Sequence, residues 1–314
     1  MADVIRSNDL PRGAFGASAV SIGVFDGVHV GHRMVIDALC SAKAASGLSR
    51  SILITFDRHP LSLTHPAMSP RLLTTLDEKI SILRQFDIDT IIIEDFNEEL
   101  AATGYSEFIS KRLVERLGMR HLVIGYDFHL GRGREGNREH LCAEGKRLGF
   151  DFTVVPPVVV NGSAVSSTRI RKNILERKLH RAERLLSRPY FFDADVVSGR
   201  GIGRTIGFPT INLEVPESAK LLPPRGVYAV RVGTDGGEFG GMMNIGSAPT
   251  IGADAGRRIE AHLFSFSGDL YGSRVRTRCL EYIREEREFA GKEELRAQLA
   301  RDGEAARRVL EKKC

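Results

Sequence analysis

The chain has 314 residues, with 45 Lys and Arg against 40 Asp and Glu, a formal charge of +5. Hydrophobic residues make up 42% and charged residues 27%, which excludes disordered and fibrous chains. The length suggests two domains, and no apolar run approaches the roughly 18 residues of a membrane helix.

In chain order, the first part alternates two periods. Val20 to Phe25 reads as a strand, and Val35, Ala38, Leu39 and Ala42 then form a helical stripe. Ser51 to Phe56 is a second strand, and Leu76, Ile80 and Leu83 mark a helix. Thr90 to Ile93 is a strand, Ile109, Leu113 and Leu117 mark a helix, and His121 to Ile124 is another strand. Asn137 to Leu148 reads as helix and Phe152 to Val155 as strand. Such alternation predicts a parallel sheet covered on both faces, with ligands beyond the carboxyl ends of its strands. After Pro189 the pattern changes. Phe191 to Ser198, Gly226 to Val232, Phe239 to Asn244, Ile259 to Phe266 and Arg274 to Tyr282 are short strands joined by Gly- and Pro-rich turns. They predict a small barrel or sandwich. Lys292 to Lys313 closes as a helix with Leu295, Leu299, Ala306 and Leu310 on one face. The expected boundary separates residues 1–186 from 187–314.

Met1 to Phe15 has no apolar core and carries Asp3 and Asp9, so it does not read as a signal peptide. A cytoplasmic protein is expected. Cys40, Cys142, Cys279 and Cys314 contain no C-x-x-C pair, against a Cys-rich zinc site. Two disulfides are formally possible, but scattered free thiols suit a cytosolic chain. Both signs of charge are mixed along the chain, aromatics are 7% and Trp is absent. A nucleic-acid surface needs a clustered basic face or stacking rings. Neither nucleic acid nor membrane is therefore expected as a partner, and the oligomeric state is left open.

Four segments can carry chemistry. Gly23 to His32, GVFDGVHVGH, runs from a strand end through a glycine turn into a helix. That geometry offers backbone N–H groups and a positive dipole end to an anion. His29 and His32 can both face a phosphate there, with Gly31 leaving room for a nucleotide. Ser166 to Arg171, SSTRIR, places hydroxyls of Ser167 and Thr168 at a helix start, with the Arg169 fork beside them. This reads either as an ordinary cap or as a second phosphate site. Gly131 to Gly136 fits G-x-G-x-x-G literally, but its late position points to an Arg/Gly loop and not a dinucleotide fingerprint. Gly199 to Gly203 leads into Arg204 to Asn212, where Gly201, Gly203 and Arg204 can wrap a polyphosphate. Thr210 and Asn212 there offer neutral oxygens to Mg²⁺; a barrel hairpin with turn glycines is the plainer reading. Glu260 lies on an alternating strand and is a base candidate if it faces that loop.

These motifs, in this order, resemble the bifunctional prokaryotic riboflavin kinase/FMN adenylyltransferase (FAD synthetase) family. G-x-F-D-G-V-H-x-G-H corresponds to Gly23–His32 and T-F-x-P-H-P to Thr55–Pro60, with Arg58 replacing the first proline. G-x-D/N-F-x-F-G corresponds to Gly125–Gly131, with Leu130 for phenylalanine, and S-S-T-x-I-R to Ser166–Arg171. G-R-x-x-G-F-P-T-x-N corresponds to Gly203–Asn212, N-I-G-x-x-P-T-x-G to Asn244–Gly252 and D-L-Y-G to Asp269–Gly272.

The resemblance implies a Rossmann-like α/β nucleotidyltransferase domain followed by a small antiparallel β-barrel with a C-terminal helix. It implies phosphorylation of riboflavin to FMN on the barrel, with Glu260 as base and Thr210 and Asn212 near Mg²⁺. It further implies adenylyl transfer from ATP to FMN at the N-terminal site. There His29, His32 and Arg169 would stabilise charge, and Gly23, Phe25, Asp26, Gly31, Asp127, Ser167 and Thr168 would lie near the nucleotide. ATP is then a co-substrate, and no tightly bound prosthetic group is implied.

Overall fold

The computed structural model describes residues 2–10, 13–128, 131–199, 203, 206–247 and 257–313. By packing, the chain divides into two compact units, Met1–Ser167 and Thr168–Cys314.

In the first unit the strands are β1 (Asp3–Arg6), β2 (Ser18–Ile22), β3 (Arg50–Phe56), β4 (Thr90–Glu94), β5 (Met119–Gly125) and β6 (Asp151–Val155). They form one parallel sheet in the order β1-β4-β3-β2-β5-β6. SAVSI in β2 and TIIIE in β4 are buried along their whole length, without alternation, as central strands covered on both faces require. Ile22, Ile54 and Ile92 stand in register and pack in one core with Leu122, Ile109 and Leu113. Helix α1 (Val30–Ala45) buries Val35, Ile36 and Leu39, and the shorter α2 (Pro60–Thr64), α3 (Leu76–Leu83) and α4 (Glu98–Ala102) follow. The expected helix around Ile109 starts as a single α-turn, α5 (Tyr105–Glu107), and continues as π-helix over Phe108–Glu115. The sequence pattern missed β1, a four-residue edge strand whose charged ends suit an edge.

The chain fills the sheet outward from β2 through β3 to β4, then crosses to β5 on β2's other side. That reversal opens a crevice beyond the carboxyl ends of β2 and β5. It lies where the Gly23 and Gly125 loops leave the sheet.

After α6 (Arg138–Leu148) and β6 comes a small hairpin, β7 (Val159–Val160) with β8 (Ser163–Ala164), and helix α7 (Ser167–Leu175) begins at the last residue of the first unit. Helix α8 (Leu179–Leu186) leads into β9 (Tyr190–Val197), β10 (Ile211–Glu214), β11 (Gly226–Thr234), β12 (Gly237–Ser247), β13 (Arg257–Leu263) and β14 (Arg274–Arg284). These six strands form a closed antiparallel barrel, β10-β13-β12-β11-β14-β9, with β9 pairing back to β10; the sandwich alternative falls away. Phe192, Tyr228, Val230, Ile245, Ala261 and Thr277 are fully buried. Outside, Asp193 and Arg276 stand opposite each other and bond through both carboxylate oxygens at 2.7 and 2.8 Å.

The closing helix α9 (Lys292–Lys312) packs on Ala229, Met242 and Leu280 through Ala306. Leu299 and Leu310 of the expected stripe pack there with Ala306, and the buried face also takes in polar residues that the stripe did not include. Gln298, Asp302 and Gly303 are buried with Ala306, because Asp302 takes the Arg284 guanidinium at 2.9 and 2.7 Å and also accepts from Gln298.

The packing divide falls ahead of the expected boundary because α8 turns its apolar stripe to the barrel. Leu179, Ala182, Leu185 and Leu186 are buried, with α8 against β9 and β14, and Glu183 pairs with Lys313. A fragment 168–314 should therefore outlast 187–314 in thermal melts. Exposing three buried leucines costs on the order of 5 kcal/mol, a large share of a domain's stability. Equal melting temperatures would show that α8 adds nothing.

Candidate active sites

The turn between β2 and α1 is unusual in its backbone. Phe25 (φ 50°), Gly27 (φ 83°) and Val28 (φ 38°) all lie at positive φ. For phenylalanine and valine this costs on the order of 1–3 kcal/mol each, so surrounding contacts must hold it. The Asp26 carboxylate, buried, accepts from Leu73 N at 2.9 Å and Thr74 N at 3.0 Å. Gly27 N donates to Thr74 Oγ1 at 3.0 Å, and Ser167 Oγ donates to the Asp26 carbonyl at 2.9 Å. Asp26 and Ser167 thus both build the turn.

The turn delivers the two histidines. His29 caps α1, its Nδ1 accepting from His32 N at 3.3 Å, which leaves a neutral ring's proton on Nε2. The two rings stack, with centroids 3.6 Å apart and 15° between planes. Both sit at the helix N-terminus, where the dipole and first-turn N–H groups favour an anion. Phe25 is buried and meets His32 edge-on at 5.2 Å, and a Cβ at Gly23 would lie 3.1 Å from its ring. Gly31 makes room for the His29 ring, which a Cβ there would meet at 3.1 Å. Asp127 lies exposed in the turn after β5, on the opposite side of the strand-order reversal. Thr168 and Arg169 lie in the first turn of α7, in the second unit.

Gly131–Gly136 contains a 3₁₀ turn, Arg132–Arg134, and α6 (Arg138–Leu148) is capped separately by Asn137. A Cβ at Gly131 would lie 2.5 Å from Tyr105 N, so this glycine serves close packing. The dinucleotide reading is thereby set aside.

Lys79, which no motif singled out, lies beneath the histidine turn on α3 (Leu76–Leu83) and is 6% exposed. Burial pulls its ammonium down to about 8, partly countered by the Asp26 and Asp57 carboxylates. The folded value lies below the unfolded one. Proton loss from the folded state therefore precedes that from the unfolded chain, and stability rises with pH between about 8 and about 10.5. Relative to Lys79→Met, the wild-type first unit should gain on the order of 3 kcal/mol across that window. Urea unfolding at a series of pH values checks this; parallel curves for the two proteins would refute it.

On the barrel, Asn212 of β10 and Asn244 of β12 are both register partners of Glu260 on β13. The three share the outer face, since Ile259 and Ala261 between them point inward and are buried. Arg258, two residues along the same face, holds the Glu260 carboxylate at 2.5 Å. A Cβ at Gly203 would lie 3.3 Å from Thr210 Oγ1, and one at Gly199 only 1.9 Å from the Asn212 amide. Gly199 and Gly203 thus rest bare backbone on the two expected metal-binding side chains. Gly201 and Arg204 lie outside the described residues. Among the described residues no cluster of three His, Cys, Asp or Glu could hold a metal by itself. The Thr210 hydroxyl and the Asn212 amide offer two neutral oxygens, a donor set that fits Mg²⁺ arriving largely on nucleotide oxygens and water. Sequence reasoning missed Arg258 as a Glu260 partner; no local signal marks it, because only the strand register and ion pair do. Cys40, Cys142 and Cys279 are free thiols.

A family model described as FAD synthetase matches residues 14–169, and one described as riboflavin kinase matches residues 186–310. The bifunctional riboflavin kinase/FMN adenylyltransferase of Escherichia coli (strain K12) is 38% identical over 289 residues, covering 92% of this chain and 91% of that protein. The counterpart in Listeria monocytogenes is 33% identical over 296 residues, covering 93% and 92%. Among solved structures, a macrolide-efflux protein from Streptococcus pneumoniae is similar with a TM-score of 0.86 and 28% identity, covering 97% of this chain and 98% of that one. Among the described residues no helix is long and apolar enough to cross a membrane. With both family models matched in order and relatives aligned along nearly their whole length, the chain belongs to the bifunctional riboflavin kinase/FMN adenylyltransferase family.

Proposed function

We propose that the chain makes FAD in two steps, each spending one ATP. On the barrel, the riboflavin 5′-hydroxyl attacks the γ-phosphorus of ATP. Glu260 takes the hydroxyl proton and ADP leaves, giving FMN. At the parallel sheet, an FMN phosphate oxygen attacks the α-phosphorus of a second ATP and pyrophosphate leaves. The observation that carries the kinase assignment is the pairing of Glu260 with Asn212 in strand register, beside the glycine loop.

Each residue's role follows from its chemistry. Glu260, oriented by Arg258, is the general base. Thr210 and Asn212 hold Mg²⁺, which supplies positive charge against the phosphate oxygens. Gly201, Gly203 and Arg204 contact the phosphates. In the adenylyl transfer, His29, His32 and Arg169 stabilise the charge that grows on the transferring phosphate. The attacking phosphate is already ionised, so no strong base is needed. Asp127, Thr168 and the helix start at Ser167 border the nucleotide, while Gly23, Phe25, Asp26 and Gly31 keep the histidine turn in shape. Catalytic function divides between 1–186 and 187–314, and the protein works in the cytoplasm without a bound prosthetic group.

Incubation with riboflavin, ATP and Mg²⁺, followed by chromatography, tests the reading. FMN should appear first and FAD later, and chelation of the metal should stop FMN formation. Failure to form either product would refute the corresponding half.

A further inference from the structure

Lys79 is a buried cation that the two reactions leave without a task. Its Nζ donates to the carbonyls of Val24 at 3.2 Å and Phe56 at 2.9 Å. Val24 opens the strained turn that ends at His29, and Phe56 ends β3 where the Asp57–Pro60 segment begins. The charged groups facing it are Asp26, from the turn, and Asp57, from the end of β3. Both are engaged elsewhere: Asp26 with Leu73 and Thr74, Asp57 with Phe96 N at 2.8 Å and Arg58 at 3.2 Å. Glu78, next to it on α3, bonds Thr75 N in the capping box. Among the described residues, no carboxylate is in ion-pair distance of Lys79. A buried ammonium so placed costs stability, and an apolar side chain would fill the space more cheaply. The ammonium ties two carbonyls together and sets a positive charge behind the turn, which an apolar side chain cannot do.

We propose that Lys79 is a positioning residue for adenylyl transfer, its charged ammonium holding the Val24–His29 turn in the form that presents both histidines to the phosphate. The inference rests on the histidine pair serving that reaction. Its consequence is a pH dependence. Loss of the ammonium proton near pH 8 leaves a neutral amine, a weaker donor to both carbonyls, and removes the charge behind the turn. A misplaced turn at a phosphoryl-transfer site costs about 10- to 100-fold in rate.

The test uses the full-length protein, with initial rates of FAD formation from FMN and ATP measured from about pH 6.5 to about pH 9.5. Phosphorylation of riboflavin by the same preparation serves as the internal reference. In the wild type, kcat/KM for adenylyl transfer should fall on the alkaline side with a midpoint near 8, the value of the free protein. Lys79→Met should run at about 1–10% of the wild-type rate at neutral pH and show no such fall, with the loss in kcat and not in the KM for FMN. Its riboflavin phosphorylation should match the wild type. A Lys79→Met protein that keeps the alkaline fall, or that matches the wild type in adenylyl transfer, overturns the proposal. If the variant's first unit does not fold, the wild-type profile decides alone, and a profile without the fall overturns it. A wild type that forms no FAD from FMN at any pH would defeat the adenylyltransferase reading itself, a different outcome.

Discussion

Glu260→Gln is expected to cut riboflavin phosphorylation by roughly 100- to 10,000-fold, the range for loss of a general base. Glutamine keeps the shape and can still accept from Arg258, but it cannot take the hydroxyl proton. The barrel should tolerate the change. Glu260 lies on the outer face, half-buried, while its inward neighbours Ile259 and Ala261 carry the packing. Register pairing with Asn212 and Asn244 is a main-chain matter and survives as well. Conversion of supplied FMN to FAD should be unaffected, which separates loss of the base from general damage. Phosphorylation at the wild-type rate would remove Glu260 from the mechanism.

Replacing both His29 and His32 by Ala is expected to abolish FAD formation from FMN while riboflavin phosphorylation continues. Loss of even one transition-state donor costs about 100-fold or more. The double variant also loses the α1 cap, since His29 Nδ1 accepts from His32 N. That costs about 0.5–2 kcal/mol, less than a domain's stability. His29→Asn settles the ambiguity, because asparagine restores a capping oxygen without an imidazole. It should fold like the wild type and still fail in adenylyl transfer. FAD formation at the wild-type rate in the double variant would show that the histidines only cap a helix.

Much of this was legible in the sequence for a local reason. Strand and helix periods are properties of a few consecutive residues, so the alternation up to Phe152–Val155 and the change after Pro189 could be read directly. The short strands β1 and β10 could not. Four residues carry too little pattern, and each is a strand only because an existing neighbour, β4 or β13, offers it a ladder. The helix at Lys292 was predicted with Leu299, Ala306 and Leu310 on its packing face, but the burial of Gln298 and Asp302 was not. Periodicity ranks residues by apolarity and has no means of knowing that Arg284 waits across the interface for Asp302.

The same division runs through the sites. Contiguous residues with their own chemistry, such as His29 and His32 at a helix start or Thr210 and Asn212 two positions apart where β10 begins, stand out in the sequence alone, because spacing along a short segment sets which side chains share a face. Tertiary structure decided what those residues meet. It set Glu260 beside Asn212, gave the Asp26 carboxylate to Leu73 and Thr74, and brought Lys79 under the Val24 carbonyl. Each of these joins segments far apart in the chain, and only the closing of the barrel and the ordering of the sheet bring such segments within hydrogen-bond range.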